Sequence, residues 1–282
     1  MNSKIRRPIL NNSVGIGLRS FHHQYVLENQ PEVPWLEIHG ENFFSKGGSA
    51  IYFIKKIREL YPLSIHCVGL SLGSSDEVNK KHLRSLKELI KITDPFLVSD
   101  HISWSNIDNV VLNDLLPIPY TKEALEAICK NIEITQNFLG REIMVENPSA
   151  YLNFKQTEFS EPEFINKISQ KTGCKILLDI NNIYVSSQNN RFNPKKYLDE
   201  INKDIVGEMH LAGHNVKKLQ NGQILVDTHN DYVCDEVWDL FKIAAKKFNN
   251  APTLIEWDQD FPEFSELQKE AKKAEEIINK AT

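Results

Sequence analysis

Six times along this chain a short apolar run stops at a histidine or a carboxylate. The runs are Leu63-Ser-Ile-His66, Leu97-Val-Ser-Asp-His101, Ile143-Met-Val-Glu146, Ile176-Leu-Leu-Asp179, Val206-Gly-Glu-Met-His210 and Thr253-Leu-Ile-Glu256. A strand buried on both faces reads as a nearly unbroken apolar run. A charged residue at its end marks where the chain reaches a functional rim. Six runs with one grammar imply strand ends that converge on a shared site.

The segments between these runs have helical spacing. Residues 50–61 place Ile51, Ile54, Ile57 and Leu60 on one face before Pro62. Thr121 is a good N-cap for a helix that Gly140 closes, and Ser160 with Glu163 three residues later opens another that ends near Gly173. Further helices are expected at residues 21–29, 78–92, 193–202, 231–248 and 265–281. Strands are expected at residues 14–18, 35–39, 63–68, 96–99, 143–146, 175–179, 205–210 and 253–256. Residues 103–119, with Pro117 and Pro119, read as a long irregular functional loop, and Asn221-Gly222 reads as a turn. Eight strands alternating with about eight helices predict a parallel sheet closed into a TIM (β/α)8 barrel of the xylose-isomerase-like kind. An open doubly wound sheet is the alternative. No composition break divides the chain, so residues 1–282 are expected to form one domain, with a polar lead-in over 1–12 and a charged terminal helix over 263–282.

Active sites of such barrels lie at the carboxyl ends of the strands. His66, His101, Glu146, Asp179, His210 and Glu256 fall there, and Asp227-Thr-His229 follows the apolar run 224–226. If that last piece is extended, Asp227 and His229 point the same way. Four carboxylates and four imidazoles exceed what one acid–base pair needs. So many acids cannot all be charged in one cavity without counter-charge, and the set contains no Arg or Lys. Metal ions supply that charge, and mixed nitrogen and oxygen donors suit iron, zinc or manganese. His22, His23, His39 and His214 lie near expected rim loops, whereas His82 sits on the solvated basic face of a helix. Cys67, next to an inward-facing His66, should point away into the barrel wall.

Composition removes other classes. A net charge of −5 and a pI of about 6.0 argue against a nucleic-acid binder. Four scattered cysteines with no Cys-x-x-Cys pair read as reduced thiols of a cytoplasmic protein. No apolar stretch approaches the ~18 residues of a membrane span. Gly15 and Gly17 do not complete a dinucleotide fingerprint, and there is neither a P-loop nor a nucleophile elbow.

Longer motifs are more specific. They are Gly15-Ile-Gly-Leu-Arg-Ser-Phe-His22, Trp35-Leu-Glu-Ile-His-Gly-Glu-Asn42, Ser64-Ile-His-Cys-Val-Gly-Leu-Ser-Leu-Gly73, Val98-Ser-Asp-His-Ile-Ser-Trp104 and Asp114-Leu-Leu-Pro-Ile-Pro-Tyr120. The series continues with Glu146-Asn-Pro-Ser-Ala-Tyr151, Leu178-Asp-Ile-Asn-Asn-Ile-Tyr-Val185, His210-Leu-Ala-Gly-His214, Asp227-Thr-His229 and Pro252-Thr-Leu-Ile-Glu-Trp-Asp258. In this order they resemble the multinuclear non-heme iron-dependent oxidative enzymes. That family was long known only as a domain of unknown function, and it includes the iron enzyme of methanobactin biosynthesis. The resemblance spans residues 14–258.

It implies a TIM barrel holding two or three iron ions, with O2 as co-substrate, that oxidatively modifies cysteine in a ribosomally made precursor peptide. It also implies, for many members, a separate partner protein that binds the peptide leader. Carried over by motif, His66, His101 and Glu146 would hold one ion. Glu146, Asp179, His210 and Glu256 would hold the second, which makes these four the catalytic set with Glu146 bridging. Asp227, His229 and Asn182 would hold the third. Asn182 stands where related three-metal barrels have a histidine, and an amide is the weaker ligand. The usual Ser-Glu-His signature here reads Ser-Asp100-His, so Asp100 is expected to support the His101 ligand. His22, Glu41, Asn147 and His214 join Asp100 as residues expected to touch substrate or hold ligands in place. The same donors would also serve a zinc or manganese hydrolase cleaving phosphodiesters, against which the acidic pI counts. A non-enzymatic metal or peptide carrier is the third reading.

Overall fold

The computed structural model describes residues 11–107 and 110–281. Most of the expected lead-in, residues 1–10, lies outside the described residues, as do two residues of the expected loop at 108–109 and the last residue of the terminal helix.

In chain order the elements begin with β1 (Val14–Gly17), α1 (His23–Asn29), β2 (Leu36–His39), α2 (Ser49–Leu60), β3 (Leu63–His66), α3 (Lys80–Thr93) and β4 (Leu97–His101). They continue with β5 (Trp104–Ile107), β6 (Val110–Leu116), α4 (Lys122–Leu139), β7 (Met144–Glu146), α5 (Glu161–Thr172), β8 (Lys175–Asp179), α6 (Ile180–Asn190) and α7 (Pro194–Glu200). The last are β9 (Val206–Leu211), β10 (Asn215–Leu219), β11 (Gly222–Val226), α8 (Asp235–Lys247), β12 (Thr253–Ile255) and α9 (Phe264–Ala281).

Eight strands close a parallel barrel in the order β1-β2-β3-β4-β7-β8-β9-β12. β1 pairs with both β2 and β12, which rules out the open-sheet alternative. The outward-facing strand residues pack against the helices. Ile54 and Ile57 of α2, Leu83 and Leu86 of α3, Ile128 and Ile132 of α4 and Phe241 of α8 are fully buried there. Thr121 caps α4 by accepting from the Ala124 N–H, Ser160 caps α5 through Glu163, and Gly140 and Gly173 end those helices in the left-handed conformation.

Three elements differ from expectation. The expected loop over residues 103–119 is largely an antiparallel hairpin of β5 and β6, which among the described residues pair only with each other. α6 was not expected at all. Its sequence, INNIYVSSQNN, is rich in Asn, Ser and β-branched residues that disfavour a helix, so local propensity hides it. Tertiary structure overrides that propensity: Asp179 caps its first turn, and Ile180, Ile183 and Val185 are buried. α8 begins at Asp235 rather than at residue 231.

The barrel interior is unusual. Branched apolar layers normally fill it. Here Glu37, Ser64 and Glu208, none of them accessible to solvent, occupy it beneath the site. Ser64 Oγ donates to Glu37 Oε2 at 2.6 Å.

Candidate metal centre

β3, β4 and β7 end side by side, and register pairs His101 of β4 with Glu146 of β7. The donor atoms of His66, His101 and Glu146 meet in a near-equilateral triangle. His66 Nε2 and His101 Nε2 are 3.3 Å apart, and Glu146 Oε2 lies 3.1 and 3.2 Å from them. Two donors about 2.1 Å from one ion at a tetrahedral angle sit about 3.4 Å apart, so the triangle has the edge length of three ligands on one cation. His101 Nδ1 faces the Cys67 carbonyl at 3.2 Å, an oxygen that can only accept. In the neutral ring that nitrogen therefore carries the proton, and Nε2 turns its lone pair toward the cluster.

Glu146 also belongs to a second buried group. Its carboxylate and donor atoms of Asp179 and His210 lie within 4.8 Å of one another. Asp179 Oδ1 accepts from the Asn182 N–H at 2.6 Å, which caps α6. Its Oδ2 is buried with no hydrogen-bond partner, as is Asn182 Oδ1. Orphaned acceptors of this kind are costly unless something cationic completes them. His210 Nδ1 is 3.0 Å from Glu256 Oε2, while its Nε2 faces Glu37 at 3.4 Å and Glu208 at 3.7 Å.

The third group forms by a different route from the expected one. Asp227 and His229 lie beyond the end of β11 and are not extended. His229 has a left-handed backbone, φ 44°, which folds its ring back to 2.6 Å from Asp227 Oδ1. The segment is held by the Tyr151 hydroxyl, which accepts from the Asp227 N–H, and by Asn181, which donates to Asp227 Oδ1 and meets His214 Nδ1. Gly213 makes room for this segment. A Cβ there would stand 2.1 Å from the Asp231 carbonyl oxygen.

The other sequence candidates take definite places. Asn147 locks two strand ends together: its Oδ1 accepts from the Asp179 N–H and its Nδ2 donates to the Asp179 carbonyl. Asp100 accepts from the N–H groups of Leu70 and His101, while its carboxylate stands 3.9 Å from His101 Nδ1. It therefore holds the loop after β3, and the ring of His101 is oriented by the Cys67 carbonyl instead. Glu41 accepts from the N–H groups of Val68 and Gly69 and pairs with His82, which is thereby partly buried rather than solvated. His22 packs against Phe264 and Phe261 and bonds the Pro262 carbonyl, away from the cluster. Cys67 is fully buried, and burial pushes its thiol well up.

Sequence reasoning passed over several charged residues. Arg19, nearly buried, reaches Asp258 at 2.5 Å and Glu256 at 3.4 Å and donates to His39 Nε2 at 2.9 Å. A cation is thus built into the site after all. Glu37 and Glu208 each sit on the inward face of a strand at residue i while a site histidine, His39 or His210, stands at i+2; that period of two was the signal available for them.

Electrostatics follow from this crowding. Burial opposes the charge on His66, yet Glu146 beside it raises the imidazole to about 10. His210 and His229 are likewise raised against burial by their carboxylate neighbours. Glu256 is held well below the usual carboxylate range, with His210 and His229 overcoming its burial. Burial and then the charge of Glu146 push Asp179 well up, and burial with Glu37 takes Glu208 to about 7. Without cations the site thus balances its acids with protons. Cations and protons compete for the same donors.

Above the cluster lies a cavity of about 230 Å³, lined in part by His39, His66, His101, Glu146, Asn182 and His229. That is room for one side chain and a small co-substrate rather than a large cofactor.

Comparison with known proteins identifies the family and the fold. The sequence profile described as RiPP precursor modification enzyme MbnB/TglH/ChrH matches residues 13–279. A UPF0276 protein of Psychromonas ingrahamii is 48% identical over 263 residues, 93% of each chain. One from Vibrio parahaemolyticus is 44% identical over 95% of this chain and 93% of its own. Among solved structures, a xylose isomerase-like TIM barrel protein from Mycobacterium smegmatis in complex with magnesium aligns with TM-score 0.60 at 8% identity, covering 95% of this chain and 97% of that one. A 3-keto-D-glucoside 4-epimerase from E. coli aligns with TM-score 0.57 at 12% identity, over 95% and 98%. At those identities the likeness concerns the fold alone.

Proposed function

We propose that this chain, which belongs to the MbnB/TglH/ChrH family of RiPP precursor modification enzymes, uses a multinuclear iron centre and O2 to oxidise cysteine in a ribosomally made peptide. The single observation that carries the metal reading is the triangle of His66, His101 and Glu146, with its 3.1–3.3 Å edges. The orphaned oxygens of Asp179 and Asn182 fit the same reading. Mixed imidazole and carboxylate donors without thiolate suit iron in a site that must also bind substrate.

His66, His101 and Glu146 would hold one ion, and Glu146, Asp179, His210 and Glu256 a second. Asp227, His229 and Asn182 would hold a third. When bound, iron supplies electrons to O2 and a Lewis acid that lowers the pKa of a substrate thiol. The chain's own residues do the rest. The cavity has room for one side chain. His39 and Asp258, anchored by Arg19, stand at the cavity wall beside Glu256, where they can hydrogen-bond the peptide backbone and hold it in place. Glu37 and Glu208 fix the ring of His210 from below.

The test is anaerobic purification, metal analysis, reconstitution with ferrous ion, and mass spectrometry of a cysteine-containing peptide under O2. Modification that depends on both iron and O2 is expected. Equal modification by iron-free or zinc-loaded protein would sink the proposal.

A further inference from the structure

A second depression joins the metal cavity. It is a groove of about 1130 Å³ between β6 and the loop that connects β3 to α3. Val68, Asp114 and Leu115 line both, so the groove opens directly onto the cluster.

Both walls are fixed in place. Asn131, buried on α4, points its amide nitrogen at the carbonyls of Leu72, Ser74 and Asp76 at 3.0 to 3.1 Å. Ser71 Oγ accepts from the N–H groups of Ser105 and Asn106, tying the same loop to β5. On the other side β6 pairs with β5 alone, which leaves its second edge unpaired among the described residues. Val111 and Leu112 on it are exposed, 73% and 37%. Ser105 and Asn106 of β5 lie between the loop and β6, so the groove runs over the face of the hairpin, where an extended chain can rest. Glu41, Asp76, Glu77 and Asp114 line the groove with Lys80 and His82; Glu41 is paired with His82 and Glu77 with Lys130 at its edge, so the lining remains net acidic.

We infer that this groove is the track for the precursor peptide: an extended segment lies along β6 with its reacting residue at the Leu115 end, and the acidic walls select a lysine or arginine flanking that residue. The inference rests on the peptide-modifying reading above and adds to it a path and a sequence preference. From Val111 to Leu115 is about 13 Å at the rise of a strand, so the groove spans about four residues of an extended peptide and the cationic residue lies within that span of the modified one.

The test is fluorescence anisotropy of the metal-loaded full chain, kept anaerobic, with short labelled peptides. Each peptide has a central cysteine and, about four residues to either side, a lysine or a glutamate. The lysine peptide is expected to bind about tenfold tighter, which is about 1.4 kcal/mol, with a margin that shrinks at high salt. Reversing the walls with Glu77→Lys and Asp114→Lys together should invert the preference. Should that variant fold poorly, the pair Glu77→Gln and Asp114→Asn should abolish the margin. Binding of both peptides that ignores either pair of substitutions overturns the groove and leaves the peptide reading standing. If no cysteine peptide of either charge binds, both fall.

Discussion

Glu146 shows what one residue can carry here. One of its oxygens meets two histidines, and the carboxylate also reaches Asp179 and His210. Replacing it with Gln should therefore strip more metal than replacing Asn182 with Ala, which removes a single weak donor. Metal content per chain after purification is the readout. A Glu146→Gln protein that keeps its full complement would dismiss the bridging role. A titration away from the site offers a cleaner pH test. Burial raises Glu161 to about 7, against the hydrogen bonds from Tyr197 and Tyr120. Its carboxyl is thus neutral in the fold longer than in the unfolded chain. Its stabilising contribution is complete below about pH 4.5, shrinks as pH rises toward 7, and is lost above that. Glu161→Gln should leave the melting temperature unchanged near pH 4 and raise it at pH 8. Equal melting curves at both pH values would refute the assignment. The strand-end donors were legible from sequence because each terminates an apolar run. Glu37 and Glu208 were passed over because an acid in mid-strand ends no apolar run; only their spacing of two from His39 and His210 marked them as inward-facing.

Among the elements, the segment from β11 to α8 shows where sequence reading stops. Period-two reasoning brought Asp227 and His229 together for the wrong reason; a left-handed residue does it, and nothing in an Asp-Thr-His string announces a positive φ. Gly213 makes that path possible, so Gly213→Ala should push the segment outward. The expected result is a loss of one ion per chain together with about 1–3 kcal/mol of stability. Metal analysis beside urea unfolding would show it, and a variant with normal metal and normal stability would contradict it. Asn147 makes the matching case for β7 and β8. Its truncation to Ala orphans a buried N–H and a buried carbonyl, for a cost of about 2–4 kcal/mol. Urea midpoints unchanged from wild type would speak against the locking role. α6 was invisible to propensity for the same general reason: its stability comes from the Asp179 cap and from burial, both of which depend on the completed barrel.

Across the whole molecule, the balance of acids against cations links folding to metal. Glu37, Glu146, Asp179, Glu208 and Glu256 are all buried, with Arg19 and imidazolium rings to offset them. Metal at a thousandfold excess over its dissociation constant adds about 4 kcal/mol to the folded state. Removing it with a chelator should lower the melting temperature by roughly 7 °C for a chain of this size. A calorimetric scan with and without ferrous ion decides the matter, and superimposable scans would remove metal from the account of stability. The closed barrel itself was readable from strand–helix alternation, since eight units leave few other ways to bury eight apolar strands. The β5–β6 hairpin was not readable, because Asn113 and Asp114 interrupt the apolar run of its outer strand, which is exposed along most of its length.

The short turn between β10 and β11 lies on the surface between His210 and Asp227. Cutting the chain there would leave His66, His101, Glu146, Asp179 and His210 on one fragment and Asp227, His229 and Glu256 on the other. Neither piece could close the barrel, so neither could assemble the ligands proposed for the second ion. Co-expressed halves would then report on their own reunion: metal uptake becomes the signal of fragment complementation, and the enzyme a two-piece reporter whose output is an ion.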